Sequence, residues 1–160
     1  MYQGACILKI TDLKLDARIA VPERTKDKKR KTPAPVKTIA RIAVDAILEK
    51  KGRNIEVLDV RGVSGIADFF IVASGDSDIQ VKAIVASVRA NLKEKAGEGP
   101  WHTEGTDHYN WVLMDYVDLV VHVFLPEQRE YYALERLWGD APHATVDETG
   151  DASNVALLKD

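Results

Sequence analysis

Apolar positions concentrate between Trp111 and Pro126, WVLMDYVDLVVHVFLP. The pattern predicts two strands joined by a tight turn, Trp111 to Asp115 and Leu119 to Leu125. Side chains alternate along a strand, so Leu119, Val121, Val123 and Leu125 share one face and Val120, His122 and Phe124 the other. A strand that is apolar on both faces belongs inside a covered sheet, not at its edge. The core is therefore expected around this hairpin, with Asp115, Tyr116 and Asp118 clustered at its turn.

The flanking pattern supplies the remaining elements. Ile39, Ile42, Ala43, Ala46 and Ile47 fall on one stripe at helical spacing, predicting a helix from Val36 to Lys51 that Gly52 ends. Ile55 to Val60 reads as a strand, with Ile55, Val57 and Asp59 on one face. Ile66 to Ala73 reads as a second strand. Ser77 with Gln80 three residues on is a capping-box pattern. It opens a helix whose buried stripe is Val81, Ile84, Val85, Val88 and Leu92 and which stops at Gly97. Pro100 to Glu104 is a short strand. Glu127 to Trp138 is a short helix packed down by Tyr131, Leu134, Leu137 and Trp138. The expected order is α-β-β-α-β-β-β-α: a mixed α/β (α+β) fold with helices packed on the sheet.

Charge divides the chain. Residues 1–35 carry nine Lys/Arg against four Asp/Glu, whereas residues 36–160 carry thirteen against twenty-one. The expected organisation is a basic, flexible extension at 1–35, a folded domain at 36–142 and a loose tail at 143–160. The basic run Lys26–Lys31, followed by Pro33 and Pro35, reads as a solvated linker, with an RNA-contacting arm as the sharper alternative. An acidic globular part disfavours nonspecific nucleic-acid binding there and favours a basic protein partner. Cys6 is the one cysteine, which leaves no intrachain disulfide and no cysteine zinc site. No apolar run has the length of a membrane span, and the N-terminus does not read as a secretory signal. The expected location is the cytoplasm.

Three places invite chemistry. Ser74-Gly75-Asp76-Ser77-Asp78 sits at a strand-to-helix junction, where free backbone N–H groups can hold phosphate. Asp76 and Asp78, with Asp118 at another strand's start, suggest a Mg²⁺-dependent nucleotidyltransferase-like site. Against this, Asp76 and Asp78 lie on the turn itself, and Ser77 and Asp78 suit a helix cap. His102 and His108 flank a polar loop near Glu104 and Asp107, but their spacing matches no zinc pattern. His122, mid-strand between valines, suits a packed, hydrogen-bonded role. Neither a metal nor a cofactor nor a catalytic residue is assigned. Trp111, Met114, Tyr116 and Trp138 remain: aromatics beside acids at a hairpin rim fit a protein–protein hot spot, with a core role as the alternative for Trp111 and Trp138.

At these residues the chain resembles the ribosomal silencing factor (RsfS, Iojap-like) family. The matching pieces are DVRGVSGIADFFIVASG at 59–75, QVKAI at 80–84, EG at 104–105, WVLMDYVDLVVHVFLPEQREYY at 111–132 and LERLWGDAP at 134–142. The resemblance covers neither the basic extension nor the tail. It implies a mixed five-stranded sheet with flanking helices, related to nucleotidyltransferases but without their active site. It also implies a non-enzymatic role. The family binds the large ribosomal subunit through its protein numbered fourteen, blocks subunit joining and lowers translation when nutrients are short. Members are often homodimers when free. By position, the resemblance places the partner surface at Trp111, Met114, Asp115, Tyr116 and Asp118. Two departures stand out. Val117 replaces a usual glycine, so either the turn is reshaped or that residue is not left-handed. Asp76 and Asp78 add charge where the family tends to have less.

Overall fold

In a computed structural model that describes residues 33–160, the chain forms a mixed sheet with helices on both faces. The elements are α1 (Val36–Glu49), β1 (Arg53–Asp59), β2 (Phe69–Ser74), α2 (Asp78–Ala96), β3 (His102–Glu104), β4 (Trp111–Asp115), β5 (Leu119–Phe124), α3 (Pro126–Tyr132), α4 (Leu134–Leu137) and β6 (His143–Thr145). Two 3-10 turns follow, Ala152–Asn154 and Ala156–Leu158. The basic run Lys26–Lys31 lies outside the described residues.

The sheet has six strands in the order β3-β4-β5-β2-β1-β6, one more than expected. Every neighbouring pair is antiparallel except β2 and β5, which run parallel. α2, with β3 and β4, carries the chain from β2 back to β5, the long crossover that a parallel pair requires. β2 and β5 lie at the centre and are buried along their whole length. This is where strands apolar on both faces are stable, because both faces are covered.

One face packs against α1 and α2: Val57, Phe69, Ile71, Met114, Val121 and Val123 meet Ile39, Ile47, Ile84 and Val88. The other lies beneath α3 and α4, where Phe70, Trp111, Val120 and Phe124 meet Leu134 and Trp138. The capping pattern at α2 is realised. The Ser77 Oγ accepts from the Gln80 N–H at 3.1 Å, and the Gln80 Oε1 accepts from the Asp76 N–H at 2.6 Å. The Gln80 amide also donates to the Lys50 and Lys51 carbonyls, tying the start of α2 to the end of α1.

Two expectations are corrected. The helix expected over Glu127–Trp138 is broken at Ala133, whose φ of 44° is left-handed. The break turns Leu134 and Trp138 into the core and leaves Tyr131 81% exposed instead of packed. Residues 143–160, expected as a loose tail, return to the sheet. β6 pairs with β1, and Val146, Ala152, Val155 and Leu158 are buried in the cluster beneath α1. Arg41 donates to the Leu158 carbonyl at 2.6 Å, and Asp45 accepts from the Ala152 N–H at 2.9 Å. The tail contributes only four buried apolar side chains to the core, too few to form a repeating pattern that would announce them.

Candidate functional site

The strand directions gather carboxylates at one end of the sheet. β2 and β5 are parallel, so their first residues, Phe69 and Leu119, lie side by side. The preceding residues are Asp68 and Asp118, and the Asp68 N–H donates to the Asp118 carbonyl at 2.8 Å. β1 is antiparallel to β2 and ends there with Asp59 opposite Phe69. β4 is antiparallel to β5 and ends there with Asp115 opposite Val120. Asp59, Asp68, Asp115 and Asp118 therefore share one rim.

Their charges interact. Burial raises the pKa of Asp68 above its ordinary value, and the charge of Asp118 adds to the rise. Asp59 is lowered, chiefly by its hydrogen bonds from Arg61. That guanidinium donates to the carboxylate through Nε at 2.9 Å and Nη2 at 2.6 Å, and lies over the Phe69 ring. The Asp115 carboxylate turns inward to accept the Val117 N–H at 2.7 Å. The turn is a tight one, with Asp118 N–H donating to the Tyr116 carbonyl at 3.1 Å and Val117 at φ 85°. Val117 thus adopts the left-handed region that its branched side chain disfavours, and the turn is not reshaped to avoid it.

The five residues assigned to the partner surface separate into two groups. Asp118 is exposed and Asp115 half-buried. Trp111, Met114 and Tyr116 are core residues in this chain. Trp111 is 3% exposed, stacked on Phe124 with ring centroids 4.7 Å apart and set against Tyr132 at 5.0 Å. Its Nε1–H donates to His122 Nδ1 at 3.2 Å. His122 is fully enclosed, and burial depresses its pKa to about 3, so the ring is neutral. Tyr116 lies on the opposite face, and burial pushes its hydroxyl up to about 12.

The aromatic that does face solvent at this rim is Trp101, 42% exposed, whose backbone N–H donates to the Asp115 carbonyl at 2.8 Å. Sequence reasoning passed over it. The available signal was its position after Gly99 and Pro100 at the start of a very short strand. Such a strand suits a sheet edge, where a large side chain has a neighbour on one side only.

The other candidate chemistry lies at the far end of the sheet. Ser74 ends β2, while Asp118 precedes β5 beside the start of β2. At about 3.3 Å per residue, six residues of strand put roughly 17–20 Å between the Ser74–Asp78 turn and Asp118. Three carboxylates that far apart do not share a Mg²⁺. Each group at the turn is also engaged. Asp76 pairs with Arg53 at 3.4 Å, Asp78 accepts from the Ile79 N–H, and the Ser74 hydroxyl accepts from Arg129 at 2.8 Å. The Arg129 guanidinium also holds Glu135 at 2.6 Å and the Asn54 carbonyl at 2.5 Å, so it pins α3 to this corner. His102 pairs with Glu104 across 2.7 Å on the edge strand. Among the described residues, no group of three His, Cys, Asp or Glu side chains is placed to hold a metal ion, and no helix is long and apolar enough to cross a membrane.

Comparison with known proteins gives a consistent result. The family described as "Ribosomal silencing factor during starvation" matches residues 33–157. The chain is 44% identical over 111 residues to the ribosomal silencing factor RsfS of Bacillus subtilis, covering 69% of this chain and 93% of that protein. It is 42% identical over 109 residues to its namesake in Halalkalibacterium halodurans, covering 68% and 92%. A crystal structure of a protein from Chromobacterium violaceum superposes with a TM-score of 0.64 at 42% identity, covering 66% of this chain and 88% of that one.

Proposed function

The chain belongs to the ribosomal silencing factor (RsfS) family, and on that premise we propose that it binds the large ribosomal subunit in the cytoplasm and blocks subunit joining. The contact is with the subunit's protein numbered fourteen, and the outcome is lower translation when nutrients are short. The role is non-enzymatic, acting by occupancy of the joining surface.

The observation that carries this reading is the rim itself. Four strands deliver Asp59, Asp68, Asp115 and Asp118 to one edge, beside the exposed ring of Trp101. An acidic, aromatic edge suits a basic ribosomal protein. Charge speeds and orients the encounter, while a desolvated aromatic anchor supplies most of the affinity. Trp111, Met114 and Tyr116 act from beneath, shaping the strands and the turn that present Asp115 and Asp118. The nucleotidyltransferase alternative is disfavoured by the same topology, which sends Asp76 and Asp78 to the opposite end of β2 from Asp118.

Co-sedimentation with isolated ribosomal subunits tests the reading. The protein is expected to pellet with large subunits and to reduce the yield of joined ribosomes. Combining Trp101→Ala with Asp118→Lys changes two solvent-facing side chains, so the fold survives and large-subunit binding is expected to collapse. Wild-type pelleting by that variant would overturn the placement of the surface, and pelleting of the native protein with neither subunit would overturn the function.

A further inference from the structure

α2 presents a row of cations that the rim does not use. Lys82, Arg89 and Lys93 are exposed and follow one another at helical spacing along the outer face. At about 1.5 Å per residue they are about 10.5 and 6 Å apart along the axis. Ala86 and Ala90 lie exposed between them and keep the floor of the row low. Lys95 adds a further charge at the end of the helix.

These cations differ from four of the ten other Lys/Arg in residues 36–160. Arg41, Arg53, Arg61 and Arg129 each lie within ion-pair distance of a carboxylate. Among the described residues, no carboxylate lies within that distance of Lys82, Arg89 or Lys93. Lys82 instead sits over the Tyr109 ring, 5.7 Å from its centroid, and Arg89 reaches the Thr103 hydroxyl at 3.4 Å. Residues 36–160 carry thirteen Lys/Arg against twenty-one Asp/Glu, so an unmatched basic row within them is a local reversal of the prevailing sign.

We propose that this face of α2 is a docking surface for the phosphodiester backbone of RNA. A line of cations with no carboxylate within ion-pair distance among the described residues is complementary to a linear polyanion. Such contacts position a protein on RNA without reading its sequence. The row is continuous with the rim. Arg89 contacts Thr103 on β3, the strand that follows Trp101, and its charge is felt by Tyr116 at the β4–β5 turn. One molecule thereby offers an acidic edge to a basic protein and, around the corner, a basic helix to RNA. This deepens the ribosome-binding reading and rests on it for its biological setting.

The test uses the full chain and a short blunt RNA duplex of arbitrary sequence, followed by fluorescence anisotropy over a range of salt. Combining Lys82→Gln, Arg89→Gln and Lys93→Gln is expected to weaken duplex binding at least tenfold at low salt. The slope of log affinity against log salt should become shallower by about two to three, one unit per lost phosphate contact. If the triple variant binds like the native chain while neutralising Lys26, Lys28, Lys29, Arg30 and Lys31 abolishes binding, the RNA contact belongs to the N-terminal run and the proposal fails. Equal competition by polyglutamate would also overturn it, marking the row as a site for acidic peptides. Far-UV circular dichroism and a urea midpoint confirm that the variant is folded. The duplex assay contains no ribosome, so its failure condemns the row alone. Failure to pellet with large subunits condemns the functional reading instead.

Discussion

His122 should make the stability of this domain fall between neutral and mildly acidic pH. The ring is fully enclosed between Trp111, Phe70 and Phe124, and burial depresses its pKa to about 3. In the unfolded chain it titrates near 6.5. Above that value both states are neutral and the contribution is complete. As pH drops below 6.5 the unfolded state takes up a proton that the folded state refuses, so stability declines until the folded ring also titrates near 3. The slope in that window approaches about 1.4 kcal/mol per pH unit. From pH 7 to pH 5 the loss is about 2 kcal/mol, and at pH 5 the folded ring is still neutral. The assay is urea denaturation at pH 7, 6 and 5, comparing the native chain with His122→Gln. Glutamine keeps an acceptor for the Trp111 Nε1–H, which His122 now accepts at 3.2 Å, and removes the titration. Groups common to both proteins cancel, so the native chain should lose about 2 kcal/mol more than the variant over this range. Equal losses in the two proteins would refute the buried neutral ring.

Further outcomes follow from the turn and the C-terminal segment. Val117→Gly relieves a branched residue held at φ 85°. The relief of about 1–2 kcal/mol outweighs the extra unfolded-state freedom of glycine, so a gain of roughly 1 kcal/mol in urea is expected, and no gain would mean the turn is unstrained. Leu158→Ala should cost about 2–5 kcal/mol, because this side chain is fully buried in the cluster beneath α1. A cost within about 0.5 kcal/mol would show instead that the last residues are dispensable to the fold.

Much of the architecture was legible in the residues. LVVHVF is apolar at both phases of a strand, so it had to be central. Ser77 and Gln80 announced the start of α2, and that hydrogen bond forms. The short polar step between Asp115 and Leu119 announced a hairpin turn, and the separate motifs from 59 to 142 announced the family.

Pairing partners were not legible. Periodicity says which side chains share a face; it does not say which remote segment will cover that face, since coverage is decided by contacts between residues far apart in the chain. Trp111 carries the same local signature whether it lies open at a rim or beneath Tyr132 and Phe124, and only the fold of α3 buries it. Trp101 stays open because β3 is an edge strand. The parallel register of β2 and β5 brings Asp68 to Asp118 and carries Asp76 and Asp78 away from them. The sequence by itself determined most of the elements up to Phe124, the two-faced central strand and the supply of acidic residues. The tertiary structure alone decided which of those acids meet, because strand direction, not spacing along the chain, sets which end of a sheet a side chain occupies.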